Sequence, residues 1–139
     1  MKLMGFNFDK ISVEKFGIGQ KDMKINTNID LSKIEKADQD FFKFKEEILS
    51  VNFTYTVNYA PDIAKIEFKG NLVLAVEPKI AKDVLKRWEE KKIPEEFKID
   101  LFNIILRKSN IRALQLEEEI NLPIHIPMPI LTPPNKSEK

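Results

Sequence analysis

Between Leu49 and Tyr59 every second residue is apolar: Leu49, Val51, Phe53, Tyr55, Val57 and Tyr59 alternate with Ser50, Asn52, Thr54, Thr56 and Asn58. Successive strand side chains point to opposite faces, so this run reads as a long antiparallel-type strand with one buried and one wet face. Ala60-Pro61-Asp62 supplies a turn, proline presetting φ at its entry. Ile63, Ile66, Phe68, Leu72, Leu74 and Val76 then continue a partner strand around Gly70.

Upstream, FNFDKISVEKF (residues 6–16) keeps a period of two through Phe6 and Phe8 and through Ile11 and Val13, but its phase flips at Asp9-Lys10. That pattern predicts a strand with a bulge or bend. GIGQKD (17–22) reads as a turn or crossover, and MKINTNIDL (23–31) alternates cleanly as a second half-buried strand. Residues 32–48 are ambiguous, because Phe41, Phe42 and Phe44 sit among charges without a clear period.

After Glu77-Pro78 the period changes. Ile80, Ala81, Val84, Leu85 and Trp88 share one helical face, and Ile93-Pro94 ends the run. Residues 95 to about 119 form a longer helix, of up to ~37 Å at ~1.5 Å per residue. Phe97, Leu101, Phe102, Ile104, Ile105 and Leu106 cover most of its circumference, beyond the stripe that one packed face requires. Two arrangements satisfy this: a sheet on one side with another subunit on the rest, or a sheet with the first helix and the tail.

The tail, NLPIHIPMPILTPP (121–134), carries five of the eight prolines and the lone histidine. Leu122, Ile124, Ile126, Met128 and Ile130 alternate with Pro123, His125, Pro127 and Pro129. An extended strap would therefore press its even-numbered residues onto an apolar surface and point His125 away. The expected architecture is α+β: a four-stranded antiparallel sheet, a short helix, a long helix and an extended Pro-rich C-terminal strap.

With 139 residues the chain suits one core, burying about 70% of the surface its unfolded form exposes. A single domain over 1–134 is expected, with NKSEK (135–139) as a disordered tail. Lys+Arg 23 against Asp+Glu 22 leaves a net charge of +1, in short blocks such as KRWEEKK, so nucleic-acid binding has no electrostatic footprint. No apolar run reaches the ~20 residues of a membrane span, and the N-terminus lacks a secretory leader, so a cytoplasmic location without membrane insertion is expected.

Catalytic signals are equally absent. There are no cysteines, and a lone histidine makes no closed metal site. Asp38 and Asp40, like Glu117, Glu118 and Glu119, lie in strongly charged stretches that read as solvated faces rather than acid–base sites. Gly17-Ile18-Gly19 lacks the residues that follow a phosphate-cradling loop. The expectation is a protein that is no enzyme and has no metal or cofactor. Trp88 reads as ordinary helix packing, and the ten phenylalanines as core or, where exposed, as a binding surface.

Taken in order, FNFDKISVEKF, MKINTNIDL, VNFTYTVNYAPDIAKIEFKGNLVLAV, PKIAKDVLKRWEE, NIILRKSNIRALQLEEE and NLPIHIPMPIL resemble the strands, helices and following segment of the SecB family of export chaperones. The resemblance implies a SecB-like fold and a holdase chaperone, a homo-oligomer built as a dimer of dimers that holds unfolded polypeptides in hydrophobic grooves without nucleotide hydrolysis. It also implies roles for particular residues. Phe102, Ile105 and Leu106 become oligomer contacts; Phe16, Ile18, Phe41 and Phe42 become groove linings; the strap, with Ile126 and Met128, borders the groove. A dedicated binding module for one partner would use the same surface. Protein transport belongs to the family, but its members are strongly acidic, as suits docking on a motor ATPase, whereas this chain is nearly neutral.

Overall fold

The computed structural model of the chain describes residues 1–17, 22–37 and 45–134. Ile18, Phe41 and Phe42, named above as groove linings, and the tail 135–139 lie outside them. Four strands come first, β1 (Lys2–Lys15), β2 (Lys24–Lys36), β3 (Glu47–Ala60) and β4 (Ala64–Val76), followed by helices α1 (Pro78–Trp88) and α2 (Glu95–Glu119). The sheet is antiparallel throughout, in the order β1-β4-β3-β2, so β1 and β2 form its two edges. The predicted fold class is the observed one.

The alternation of β3 does what its period requires. Leu49, Val51, Phe53, Tyr55, Val57 and Tyr59 are all buried, and register sets them opposite Leu74, Leu72, Gly70, Phe68, Ile66 and Ala64 of β4 on one face. Asn52, Asn71 and Ser50 meet on the other, where Asn71 Nδ2 donates to Ser50 Oγ and Asn52 Oδ1 at 2.7 Å each. Gly70 has a steric purpose. A Cβ there would lie 2.5 Å from the Asn7 carbonyl oxygen and 2.7 Å from the Phe53 ring, so only glycine lets Phe53 fold across β4.

The bulge expected at Asp9-Lys10 is present as a register shift between Phe8 and Lys10, and a second shift lies between Leu3 and Gly5. The first keeps Phe8 opposite Gly70 and Ile11 opposite Phe68. Phe6, Phe8, Phe53, Phe68 and Tyr55 consequently form one aromatic cluster, with ring centroids 5.1 to 6.4 Å apart along it. β2 runs five residues past its clean alternation, to Lys36, because a shift between Leu31 and Lys33 returns Ile34 to the buried face opposite Val51.

α2 crosses the apolar face with Phe97, Leu101, Ile105, Ser109, Ala113 and Glu117 buried. Each step of four residues advances about 40° round the helix, so this stripe winds as the helix crosses the sheet. Its ends are set locally. Glu95 and Glu96 occupy the first turn, where the helix dipole favours them. At the other end Asn121 takes a left-handed φ of 58°, and the Leu122 N–H donates to the Glu117 carbonyl at 2.8 Å, a Schellman-type closure. Lys15 Nζ caps the freed carbonyls of Ile120 and Asn121 at 3.3 and 3.4 Å.

Candidate functional site

Two regions carry chemistry beyond packing. The first is a cleft of about 700 Å³ between the β2 edge and the α1–α2 connection. Ile29, Leu31, Trp88, Ile93 and Phe102 give it an apolar lining, with Lys91, Lys92, Lys98, Asp30 and Glu95 around them. Trp88 ends α1, and the chain reverses there because Lys91 adopts a left-handed φ of 60° and the Lys92 N–H returns to the Arg87 carbonyl at 3.1 Å. That reversal sets Lys91 Nζ 4.6 Å from the Trp88 ring centroid, while Lys98 Nζ sits 5.5 Å from that of Phe102.

The arrangement suits an extended apolar ligand. Because β2 is an edge strand, the main-chain groups on its outer side have no neighbouring strand among the described residues, and an extended segment can pair there. Trp88 is therefore more than helix packing: it is half-buried and shares its ring with the cleft. The signal available in sequence was its position, at the last residue of a helix before a charged reversal.

The second region is polar and buried. His125 does not point away from the apolar surface, as the alternation predicts; its side chain is 2% exposed. Nδ1 meets Glu117 Oε2, and the His125 backbone N–H donates to Glu117 Oε1 at 3.0 Å. Nε2 lies 3.0 Å from both Asn110 Oδ1 and Tyr55 Oη, and the Tyr55 hydroxyl donates to Asn110 Oδ1 at 2.7 Å. Tyr59 donates to the Pro123 carbonyl. Glu117 is no solvated carboxylate either, since its side chain is 0% exposed.

The physical reason is the turn after α2. The Schellman closure buries Leu122 and reverses the chain, so His125 comes back against the helix residue eight positions earlier. Burial and then the Glu117 charge push the hydroxyl pKa of both Tyr55 and Tyr59 well above the ordinary tyrosine value.

The other expected residues fall as follows. Phe16 is 58% exposed just beyond β1, at the opposite edge of the sheet from the cleft. Ile126 is half-buried and Met128 is 54% exposed. Ile105 is fully buried in the chain's own core, whereas Phe102 and Leu106 are half-buried. Ile99 precedes these two on the same flank at i, i+3, i+7 spacing and is 52% exposed. Among the described residues no three His, Cys, Asp or Glu side chains converge as a metal site requires, and no helix is long and apolar enough to cross a membrane.

No protein-family model matches the chain, and no curated protein matches it by sequence. Among solved structures it is similar to the Mycobacterium tuberculosis SecB-like chaperone Rv1957 in complex with a ChAD peptide from the Rv1956 HigA1 antitoxin. The TM-score is 0.54 at 11% identity, over 96% of this chain and 91% of that one. Over nearly its whole length, the chain carries the fold of a SecB-like chaperone.

Proposed function

We propose that this chain is a holdase chaperone that binds unfolded polypeptide segments through apolar surface, without nucleotide hydrolysis or other catalysis. The observation that carries the reading is the pairing of a SecB-like fold with an apolar cleft beside an open strand edge. Unfolded chains are recognised by apolar side chains and by main-chain groups that seek a sheet partner, and the cleft and β2 edge supply counterparts to both. Met128 at the strap adds a flexible, polarisable contact that adapts to varied sequences.

Assembly belongs to the same proposal. α2 hides one winding stripe within the chain and leaves Ile99 and Ile111 52% and 56% exposed, with Phe102, Ile104 and Leu106 half-covered. A second copy packing on α2 removes that surface from water, as a dimer of dimers does in the family. The structural neighbour was solved with a peptide from one antitoxin, which favours a second reading: a chaperone dedicated to one partner, working through the same cleft.

The test is light scattering from a chemically unfolded client diluted into buffer with this protein or with an inert protein at equal concentration. Suppression of aggregation without nucleotide, across several clients, is the expected result. Suppression for none of them removes the general holdase, and one tight partner recovered by pull-down then selects the dedicated form.

A further inference from the structure

We propose that the strap from Leu122 to Pro134 is a displaceable internal cover, latched on the inner sheet face by His125 and vacated when the main chain of an unfolded segment takes its place. The inference rests on the polypeptide-binding reading and adds a site and a mechanism to it.

Two of the strap's contacts use groups that every polypeptide carries. Tyr59 donates to the carbonyl oxygen of Pro123, and Glu117 accepts the backbone N–H of His125. A hydroxyl donor and a carboxylate acceptor set to receive one C=O and one N–H two residues apart recognise an extended main chain irrespective of its side chains. The strap has the chemistry of such a ligand, being apolar and without sheet pairing from Pro123 to Pro133, with a bend at His125–Ile126.

What distinguishes the strap from any other segment is the His125 ring, wedged between Glu117, Asn110 and Tyr55. Between Pro123 and Pro133 the described hydrogen bonds are confined to Pro123 and His125. Beyond them Met128, Ile130 and Leu131 are 54%, 81% and 100% exposed, so apolar packing does not hold the distal part down. Between Pro123 and Pro133, His125 is thus the one residue whose side chain takes part in the described hydrogen bonds. Every polar group that faces it belongs to a fixed element, Tyr55 and Tyr59 to β3, Asn110 and Glu117 to α2, and these stay in position when the strap leaves. They are then left to an incoming chain, because buried polar groups demand partners.

The chain has no cysteine, so Ile124→Cys, at a position 37% exposed, takes a single spin label beside the latch. The labelled protein is titrated with reduced, carboxymethylated lactalbumin, a permanently unfolded client, while binding is followed independently by the anisotropy of fluorescein on the client. The expected result is that label mobility rises along the binding curve. A latch closed nine-tenths of the time weakens apparent affinity about tenfold, so His125→Ala binds this client about tenfold tighter, with His125→Gln between the two. Client binding that leaves the label immobile, or a folded His125→Ala protein of unchanged affinity, overturns the cover while leaving polypeptide binding intact. Absence of client binding in every form overturns the polypeptide reading and the cover with it.

Discussion

The two halves of α2 lie on the same sheet and solve the same problem differently. The first half presents the apolar Phe97, Leu101 and Ile105. The second presents Ser109, Ala113 and Glu117 at the same four-residue spacing, and there the sheet answers with two tyrosines and the strap with a histidine. A core needs no polar network for stability, since replacing a buried ion pair by apolar side chains is often neutral or stabilising. The polar half therefore points to a role other than holding the fold, whereas the apolar half is sufficiently explained by it.

The largest expected effect comes from removing one partner of the buried pair. Glu117→Ala leaves the His125 ring and the His125 backbone N–H without their partner and is expected to cost about 3–5 kcal/mol in chemical denaturation. The paired replacement Glu117→Leu with His125→Leu should return stability to within about 1 kcal/mol of the parent while unlatching the strap. If the double variant is as damaged as the single one, the polar cluster is structural and the contrast between the halves fails.

The apolar half gives the reference. Ile105→Ala, at a position fully enclosed by its own chain, should cost about 2–5 kcal/mol by denaturation, with client affinity unchanged. A smaller and opposite effect is expected at the boundary. Ser109 is fully buried and its Oγ has no hydrogen-bond partner among the described residues. Ser109→Ala should therefore raise stability by about 1 kcal/mol in the same assay.

The smallest effect concerns pH. In the folded chain Tyr55 and Tyr59 keep their protons above the ordinary value of 10.0, through burial first and the Glu117 charge second. Above that pH the unfolded chain releases protons that the native chain retains, so native stability falls as pH rises. The loss is absent below about pH 9, grows beyond pH 10, and should be shallower in Tyr55→Phe. A profile that is flat to pH 11 would place these hydroxyls in water.

Much of this architecture is legible in the residues, and the failures have identifiable causes. Alternation from Leu49 to Tyr59 marks the buried face of β3 without error, because register and burial there share one period. The phase flip at Asp9-Lys10 is the bulge that keeps Phe8 over Gly70. The strap misleads because its alternation does not persist in three dimensions: the chain bends at His125–Ile126, and tertiary hydrogen bonds, not a repeating backbone, orient His125. Glu117 looks solvated among three consecutive glutamates, although counting in fours from Leu101 through Ile105, Ser109 and Ala113 lands on it. The cleft escapes notice because β2 and the α1–α2 connection meet only in three dimensions.

Polypeptide binding in the cleft is read most directly from Trp88, the one tryptophan of the chain, which lines the cleft. A tryptophan-free unfolded peptide rich in Leu, Phe and Val is titrated into the protein while Trp88 emission is recorded. A saturable shift to the blue is expected as the peptide excludes water from the cleft, at concentrations matching its binding curve. Emission that stays constant while the peptide binds elsewhere, or a peptide that does not bind at all, would contradict binding in the cleft.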